Sequence, residues 1–360
     1  DNDNNSVALL ETVQKAYPGG VLCADSLEHL IAIARGDVKG AMLKEKLLPQ
    51  YLKEAGYATH HVGKWHLGPE THGFDLNDTN GLGGGVLAKY YNDIDVAETL
   101  TNRAVQFIAD ESENPFFIYL CHWDVHTPIK ARPEVVAKYD KKFKSRQWDY
   151  DWNTTYAAMI EAVDTSVGRV YEALRIQGVA DNTLVIYLAD NGWNEYGKAS
   201  PYENGVRTPV IAHWPGKIRP RKDERRLATN LDVAPTILTA CGVTPPASMP
   251  GINLLDDKAV TKRDTLFLSN FAHNMVSATE PEKSLWTRSC VHGKWKLLSW
   301  IENPPKQVPW NRGHRHKNPG ENLELFDLLA DPHETKNLTE KHPEVVKDLL
   351  ARIDGWWKVD

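Results

Sequence analysis

No stretch of this 360-residue chain approaches the roughly 20 consecutive apolar residues of a bilayer-crossing helix, so no membrane span is expected. Cations are in deficit: 42 Lys plus Arg against 48 Asp plus Glu give a formal net charge of -6. No global field would therefore draw the protein to nucleic acid or to an anionic membrane, and an anionic substrate would need a local cluster of cations. Cysteine is scarce. Cys23, Cys121, Cys241 and Cys290 lie far apart with no C-x-x-C spacing, which points to neither a zinc site nor a disulfide framework. The opening Asp1-Asn2-Asp3-Asn4-Asn5 has neither the basic nor the apolar region of a signal peptide, and reads as a mature or trimmed product or one never exported. Four N-x-S/T triplets, beginning at Asn4, Asn77, Asn153 and Asn337, would allow glycosylation in a secreted protein.

What the chain does have is a repeated order of helix, apolar strand and polar cluster. Leu47, Leu48, Tyr51, Leu52 and Ala55 recur at helical spacing, and Thr59 to Val62 reads as a strand ending at Gly63. Val96, Leu100, Ala104, Phe107 and Ile108 mark a second helix before the strand Phe116 to Leu120, after which His122, Asp124 and His126 follow at once. Ile160, Val163, Val167, Val170 and Leu174 form a third helix, followed by the strand Thr183 to Leu188 and then Asp190-Asn191-Gly192. In an open α/β sheet, ligands bind beyond the strand ends, where loops converge. Three polar loops on one rim thus form a candidate site.

Val210 to His213 adds a strand and Val233 to Ala240 a short helix. Near residue 262 the texture changes to short apolar runs separated by turns. A hairpin is expected from Cys290 to Trp300, a strand at Glu324 to Leu328, and a last helix from about Pro343 to Trp357. The expected domains are therefore 1–262, an α/β domain whose first 46 residues diverge, and 263–360, a small α+β subdomain with an antiparallel sheet. Asn303 to Gly320 reads as a long surface loop.

Gly56-Tyr57-Ala58-Thr59-His60-His61-Val62-Gly63-Lys64-Trp65-His66-Leu67-Gly68 resembles a signature segment of the sulfatase family. The resemblance continues through Asp124-Val125-His126-Thr127-Pro128, Asp190-Asn191-Gly192, Gly197-Lys198 and Pro201 to Pro209. It ends with Leu325-Phe326-Asp327-Leu328 and Asp331-Pro332-His333-Glu334 to Leu338. It implies an alkaline-phosphatase-like α/β domain with a central mixed sheet flanked by helices, plus the small C-terminal subdomain, and hydrolysis of sulfate esters. Lys64 and Lys198 would bind the sulfate, His66 would support the nucleophile, and His126 would contact or protonate the leaving oxygen. Such chemistry requires fixed cations around the sulfonyl oxygens and an acid beside the leaving group. Asp190 and Asn191 offer hard oxygen ligands, which favours Ca²⁺, with Mg²⁺ as the alternative. The implied partner is a sulfated small molecule or glycan, and the implied location is a secreted, periplasmic or lysosomal compartment.

The sequence departs from the family at its start. An Asp pair on a first strand, expected to complete the metal site, has no counterpart here. The formylglycine that the family makes within Cys/Ser-x-Pro-x-Arg has its nearest candidate at Cys23-Ala24-Asp25-Ser26-Leu27, where Asp25 replaces the proline and Leu27 the arginine. Cys23 is accordingly read as a small buried hydrophobe. Two other readings follow: a catalytically inactive sulfatase-like binding protein, or a phosphomonoesterase or phosphodiesterase of the same superfamily. His122 is read as structural, Glu203 and Arg207 as a local brace, and Trp356 and Trp357 as part of an amphipathic helix.

Overall fold

The computed structural model describes residues 46–65, 71–79, 93–144, 154–192, 197, 198, 200–224, 226–271, 281–302 and 322–359. The candidate nucleophile segment around Cys23, His66 and the loop 303–320 lie outside these residues. Two compact units are present. One comprises the described residues up to Thr183 with Trp214–Lys217 and Ala240–Val243; the other comprises Leu184–His213, Ile218–Thr239 and the chain from Thr244 onward.

In the first unit, helix α1 (Leu48–Glu54) leads into strand β1 (Ala58–Gly63). Strand β1 pairs in parallel with β2 (Leu76–Thr79) on one side, and on the other with β3 (Phe116–Cys121), which follows helix α2 (Val96–Asp110). Parallel neighbours need crossovers that cover the sheet, and α2 supplies one through Val96, Leu100, Ala104, Phe107 and Ile108, all buried. Val62 of β1 packs with Val96, Leu100 and Trp123 in one apolar cluster. Helix α3 (Pro133–Lys144) presents no buried residue, whereas α4 (Thr154–Ile176) buries Ala157, Ala158, Met159, Val163, Ser166, Ala173 and Leu174. The periodicity had placed the inward face of α4 at Ile160, Val163, Val167, Val170 and Leu174, yet Ile160 is 47% exposed.

The second unit holds an antiparallel pair, β4 (Val185–Leu188) with β5 (Val210–His213), the one-turn helix α5 (Glu203–Val206) lying between them in sequence. Helix α6 (Val233–Ala240) begins after Asp232, a fully buried carboxylate. Arg263, just past helix α7 (Asp257–Lys262), grips Asp232 with two nitrogens, Nη1 at 2.5 Å and Nη2 at 2.7 Å. Asp232 Oδ1 also accepts from the Ile252 N–H at 2.8 Å, so the buried charge is paired and hydrogen-bonded.

The C-terminal sheet is a four-stranded antiparallel meander, β6 (Thr265–Phe271), β7 (Leu285–His292), β8 (Trp295–Trp300) and β9 (Leu323–Asp327), in that order. His292 pairs with Trp295 across a two-residue turn, which is the hairpin expected from the sequence. Helix α8 (Pro343–Trp356) buries Leu349 and Ile353 against Cys290, Leu297 and Leu325. Trp356 stacks on Phe267 with ring centroids 5.1 Å apart. The fold is thus α/β, with a parallel sheet beside helices and a C-terminal antiparallel sheet. Among the described residues Cys121, Cys241 and Cys290 are free thiols, and no helix is long and apolar enough to cross a membrane.

One N-x-T triplet is structural. Asn337 Oδ1 accepts from the Leu325 N–H at 2.9 Å and the Thr339 N–H at 3.1 Å, while its Nδ2 donates to the Leu323 carbonyl at 3.1 Å. The side chain thereby finishes the outer edge of β9. Asn337→Ala leaves these groups unpaired and should cost about 1–3 kcal/mol, read as a lower midpoint in guanidinium melts; an unchanged midpoint would refute the clamp.

Candidate functional site

Two neighbouring parallel strands deliver the first cluster. Gly63 of β1 sits opposite Cys121 of β3, so the residues that follow each strand emerge at the same rim. The approach is tight: a Cβ on Gly63 would lie 2.0 Å from the Cys121 carbonyl oxygen, and its φ of +111° is one that side-chain-bearing residues rarely adopt. That carbonyl also accepts the Lys64 N–H at 2.8 Å. Lys64 is half-buried, and its Nζ stands 5.2 Å from the centroid of the Trp123 ring, within cation–π range.

The loop after β3 is held from inside. The His126 N–H donates to the Trp123 carbonyl at 3.0 Å, and the Thr127 carbonyl accepts from His126 Nδ1 at 2.9 Å and from Trp123 Nε1 at 3.4 Å. With Nδ1 committed to a carbonyl, Nε2 is the nitrogen available for proton transfer. His126 lines a cleft with Asp93, Trp123, Asp124, Lys130 and Met159. Lys64 and His126 are thus on adjacent strand ends of one sheet.

The other histidines of this region serve the fold. His61 bridges the Asn77 side chain at 2.8 Å and the Lys64 carbonyl at 3.1 Å, and burial pushes its pKa down to about 4. His60 Nε2 meets Asp78 at 3.1 Å. His122 Nε2 joins Ser166 Oγ at 2.9 Å, which in turn meets Thr101 Oγ1 at 2.6 Å, tying β3 to α4 and α2. Burial pushes His122 down to about 4 as well, so it stays neutral. This agrees with its structural reading.

Asp190, Asn191 and Lys198 belong to the second unit. The Asn191 N–H donates to Asp190 Oδ1 at 2.9 Å, and Asn191 Nδ2 donates to the Gly192 carbonyl at 2.7 Å. The donor side of the amide is therefore occupied, which leaves its carbonyl oxygen and the Asp190 carboxylate as the hard donors of this turn. A Cβ on Gly192 would lie 1.7 Å from the Asn204 carbonyl oxygen, and one on Gly205 would lie 2.2 Å from the Gly197 carbonyl oxygen. Close backbone contact therefore links the Asp190–Asn191 turn, the turn bearing Lys198 and α5. The donor set fits a hard cation, although two ligands fill only part of its coordination sphere; among the described residues no group of three His, Cys, Asp or Glu completes one.

Helix α5 rests on a buried ionic group that sequence reasoning missed. Lys296, fully buried, places Nζ 3.0 Å from Glu203 and 2.9 Å from Glu334, and the Glu203 N–H donates to Glu334 Oε2 at 2.6 Å. Burial raises the Glu334 carboxyl against the pull of Lys296. Arg207 stands 3.9 Å from Glu203 with its side chain 63% exposed, so the brace anticipated between those two is minor beside Lys296. The available signal was a lysine inside the apolar run Trp295-Lys296-Leu297-Leu298.

Asp124 was likewise quoted in a motif without a role. Its carboxyl is pushed up to about 6 by burial, and Oδ2 is buried with no hydrogen-bond partner.

The sulfatase family model matches residues 6–243, and a model described as N-sulphoglucosamine sulphohydrolase, C-terminal, matches 190–356. An N-acetylgalactosamine-6-O-sulfatase of Bacteroides thetaiotaomicron is 28% identical over 343 residues, covering 82% of this chain and 60% of its own length. Arylsulfatase J of Mus musculus is 26% identical over 384 residues, covering 88% of this chain and 62% of its own. The chain therefore spans about 60% of the length of these two relatives. A solved sulfatase from Pseudoalteromonas sp. superposes with a TM-score of 0.61 at 21% identity, over 88% of this chain and 75% of that one, a likeness of fold.

Asp124 carries a pH signature. Its carboxyl is raised from 3.8 to about 6 in the folded chain, so the folded state binds more protons, and stability falls as pH rises from about 4 through 6. Asp124→Asn removes that penalty. The variant should melt higher than the parent at pH 7.5, by on the order of 2 kcal/mol, with the gap closing at pH 4; equal melting at both pH values would contradict the assignment.

Proposed function

The chain belongs to the sulfatase family, whose fold is alkaline-phosphatase-like, and we propose that it hydrolyses sulfate esters, with sulfated sugars as the substrate class. The observation that supports this most is the placement of Lys64 and His126 at neighbouring strand ends, seated by the contact of Gly63 with Cys121. In this reading Lys64 and Lys198 hold the sulfonyl oxygens. His126, protonated at Nε2, gives its proton to the leaving oxygen as the S–O bond breaks, while its Nδ1 stays anchored on the Thr127 carbonyl. His66 supports the nucleophile. Asp190 and Asn191 hold a Ca²⁺-type ion, Mg²⁺ being the alternative, which supplies charge stabilisation at the ester when bound. The sugar class is favoured by the relative named for N-acetylgalactosamine-6-O-sulfate, and a secreted, periplasmic or lysosomal setting is the corresponding location.

The family's formylglycine does not fit the residues present. Cys23 lacks the proline and the arginine of its motif, and no step is routed through it. That departure favours a second reading, a binding relative that keeps the anion pocket without turnover. The tight match from Gly56 to Gly68 weighs against a phosphomonoesterase or phosphodiesterase.

Hydrolysis of 4-nitrophenyl sulfate, with and without chelator, separates these readings. Turnover lost on chelation and restored by Ca²⁺ is expected, with His126→Ala lowering kcat by about 10²–10⁴. Peptide mapping of the native chain for formylglycine accompanies the assay. Binding of sulfate esters without turnover at saturating Ca²⁺, on an unmodified chain, would establish the binding relative instead.

A further inference from the structure

The cleft that His126 lines is also walled by Trp123, Asp93, Asp124 and Lys130. The Lys64 ammonium stands 5.2 Å from the centroid of the same Trp123 ring. Among the described residues no ion pair includes Asp124, and its Oδ2 is buried without a donor. A buried carboxylate oxygen left in this state costs free energy comparable to a lost hydrogen bond. Nothing in the packing of the loop needs that oxygen, because Trp123, His126 and Thr127 already secure one another.

An ionised carboxylate repels sulfonyl oxygens, so it suits the alcohol half of an ester rather than the sulfate half. It accepts hydrogen bonds and donates none, so its natural partner is a hydroxyl. With a carboxyl raised to about 6, the group is largely ionised at neutral pH. An aryl or steryl alcohol offers no neighbouring hydroxyl to it, whereas a sugar offers several.

Resting on the sulfatase reading, we propose that Asp124, half-buried on the wall of the cleft, is a specificity-determining residue: its carboxylate accepts a hydrogen bond from a hydroxyl of the leaving alcohol, so that sugar sulfates are selected over aryl and steryl sulfates. A site built to pair a substrate hydroxyl discriminates strongly against analogues that lack it, since the buried acceptor is then left unpaired.

The test compares the parent and Asp124→Asn on 4-nitrophenyl sulfate and on a panel of monosulfated galactose, N-acetylgalactosamine and glucosamine. For the sugar the parent cleaves best, the variant should lose at least tenfold more kcat/KM than it loses on the aryl ester. Equal losses on both, or none, would overturn the proposal, as would a parent that cleaves the aryl ester and no sugar. A parent that cleaves neither class defeats the sulfatase reading instead. Asp124 is then judged by calorimetry with the unsulfated sugars: binding weakened tenfold or more in Asp124→Asn upholds its hydroxyl contact, and unchanged or absent binding overturns it. Folding is controlled by the melting temperature, which a correctly folded Asp124→Asn keeps at or above that of the parent at pH 7.5.

Discussion

At Gly63 the chain passes so close to the Cys121 carbonyl that no side chain fits between them, and the common rim of β1 and β3 depends on that approach. It lets β1 and β3 end at the same level, with the Lys64 N–H on the same carbonyl. Any Cβ there would push the Lys64 loop away from the Trp123–His126 loop. The second unit uses the same device twice. Gly192 lies against Asn204, and Gly205 lies against Gly197, so the turns bearing Asp190, Asn191 and Lys198 are gathered by backbone contact rather than by side chains.

The polar groups beneath these loops fall into two kinds. His60, His61 and His122 are enclosed and engaged, with His61 and His122 held neutral by burial. They rigidify the sheet and its helices without adding charge to the rim. In the second unit the charge is kept but paired, as Lys296 with Glu203 and Glu334, and Asp232 with Arg263. Breaking one partner of such a group strands a buried charge, which is why these networks hold α5 and the start of α6 in place. Asp124 departs from both patterns: it is half-buried, and its Oδ2 is enclosed without a hydrogen-bond donor.

Much of this was legible in residue order. The alternation of helix, strand and polar loop located β1, β3 and β4, although β3 and β4 are only partly covered, with Tyr119 and Leu188 exposed, and the buried β1 carries Thr59, His60 and His61. The hairpin of β7 and β8 and the span of α8 were readable from the His292-Gly293 turn and the apolar spacing after Pro343. Other elements were not. Strand β2 is four residues with Asn77 and Asp78 at its centre, and it exists because His60 and His61 offer partners from the next strand. Helix α3 went unread although Val135, Val136, Tyr139 and Phe143 form a partly buried stripe, because that stripe is short and set among lysines.

By itself, then, the sequence determined the family and the α/β class, since those depend on local pattern and motif order, and from the same motifs it nominated Lys64, His66, His126, Lys198, Asp190 and Asn191. Only the tertiary structure decided which polar residues, such as His61, His122 and Lys296, are engaged by the fold. Whether a histidine meets a serine 44 positions away, as His122 meets Ser166, or a carboxylate oxygen such as Asp124 Oδ2 is enclosed without a donor, depends on burial and on partners distant in the chain. Neither is encoded in neighbouring residues, so the surroundings of Lys296 and Asp124 emerged only once the strands and helices were packed.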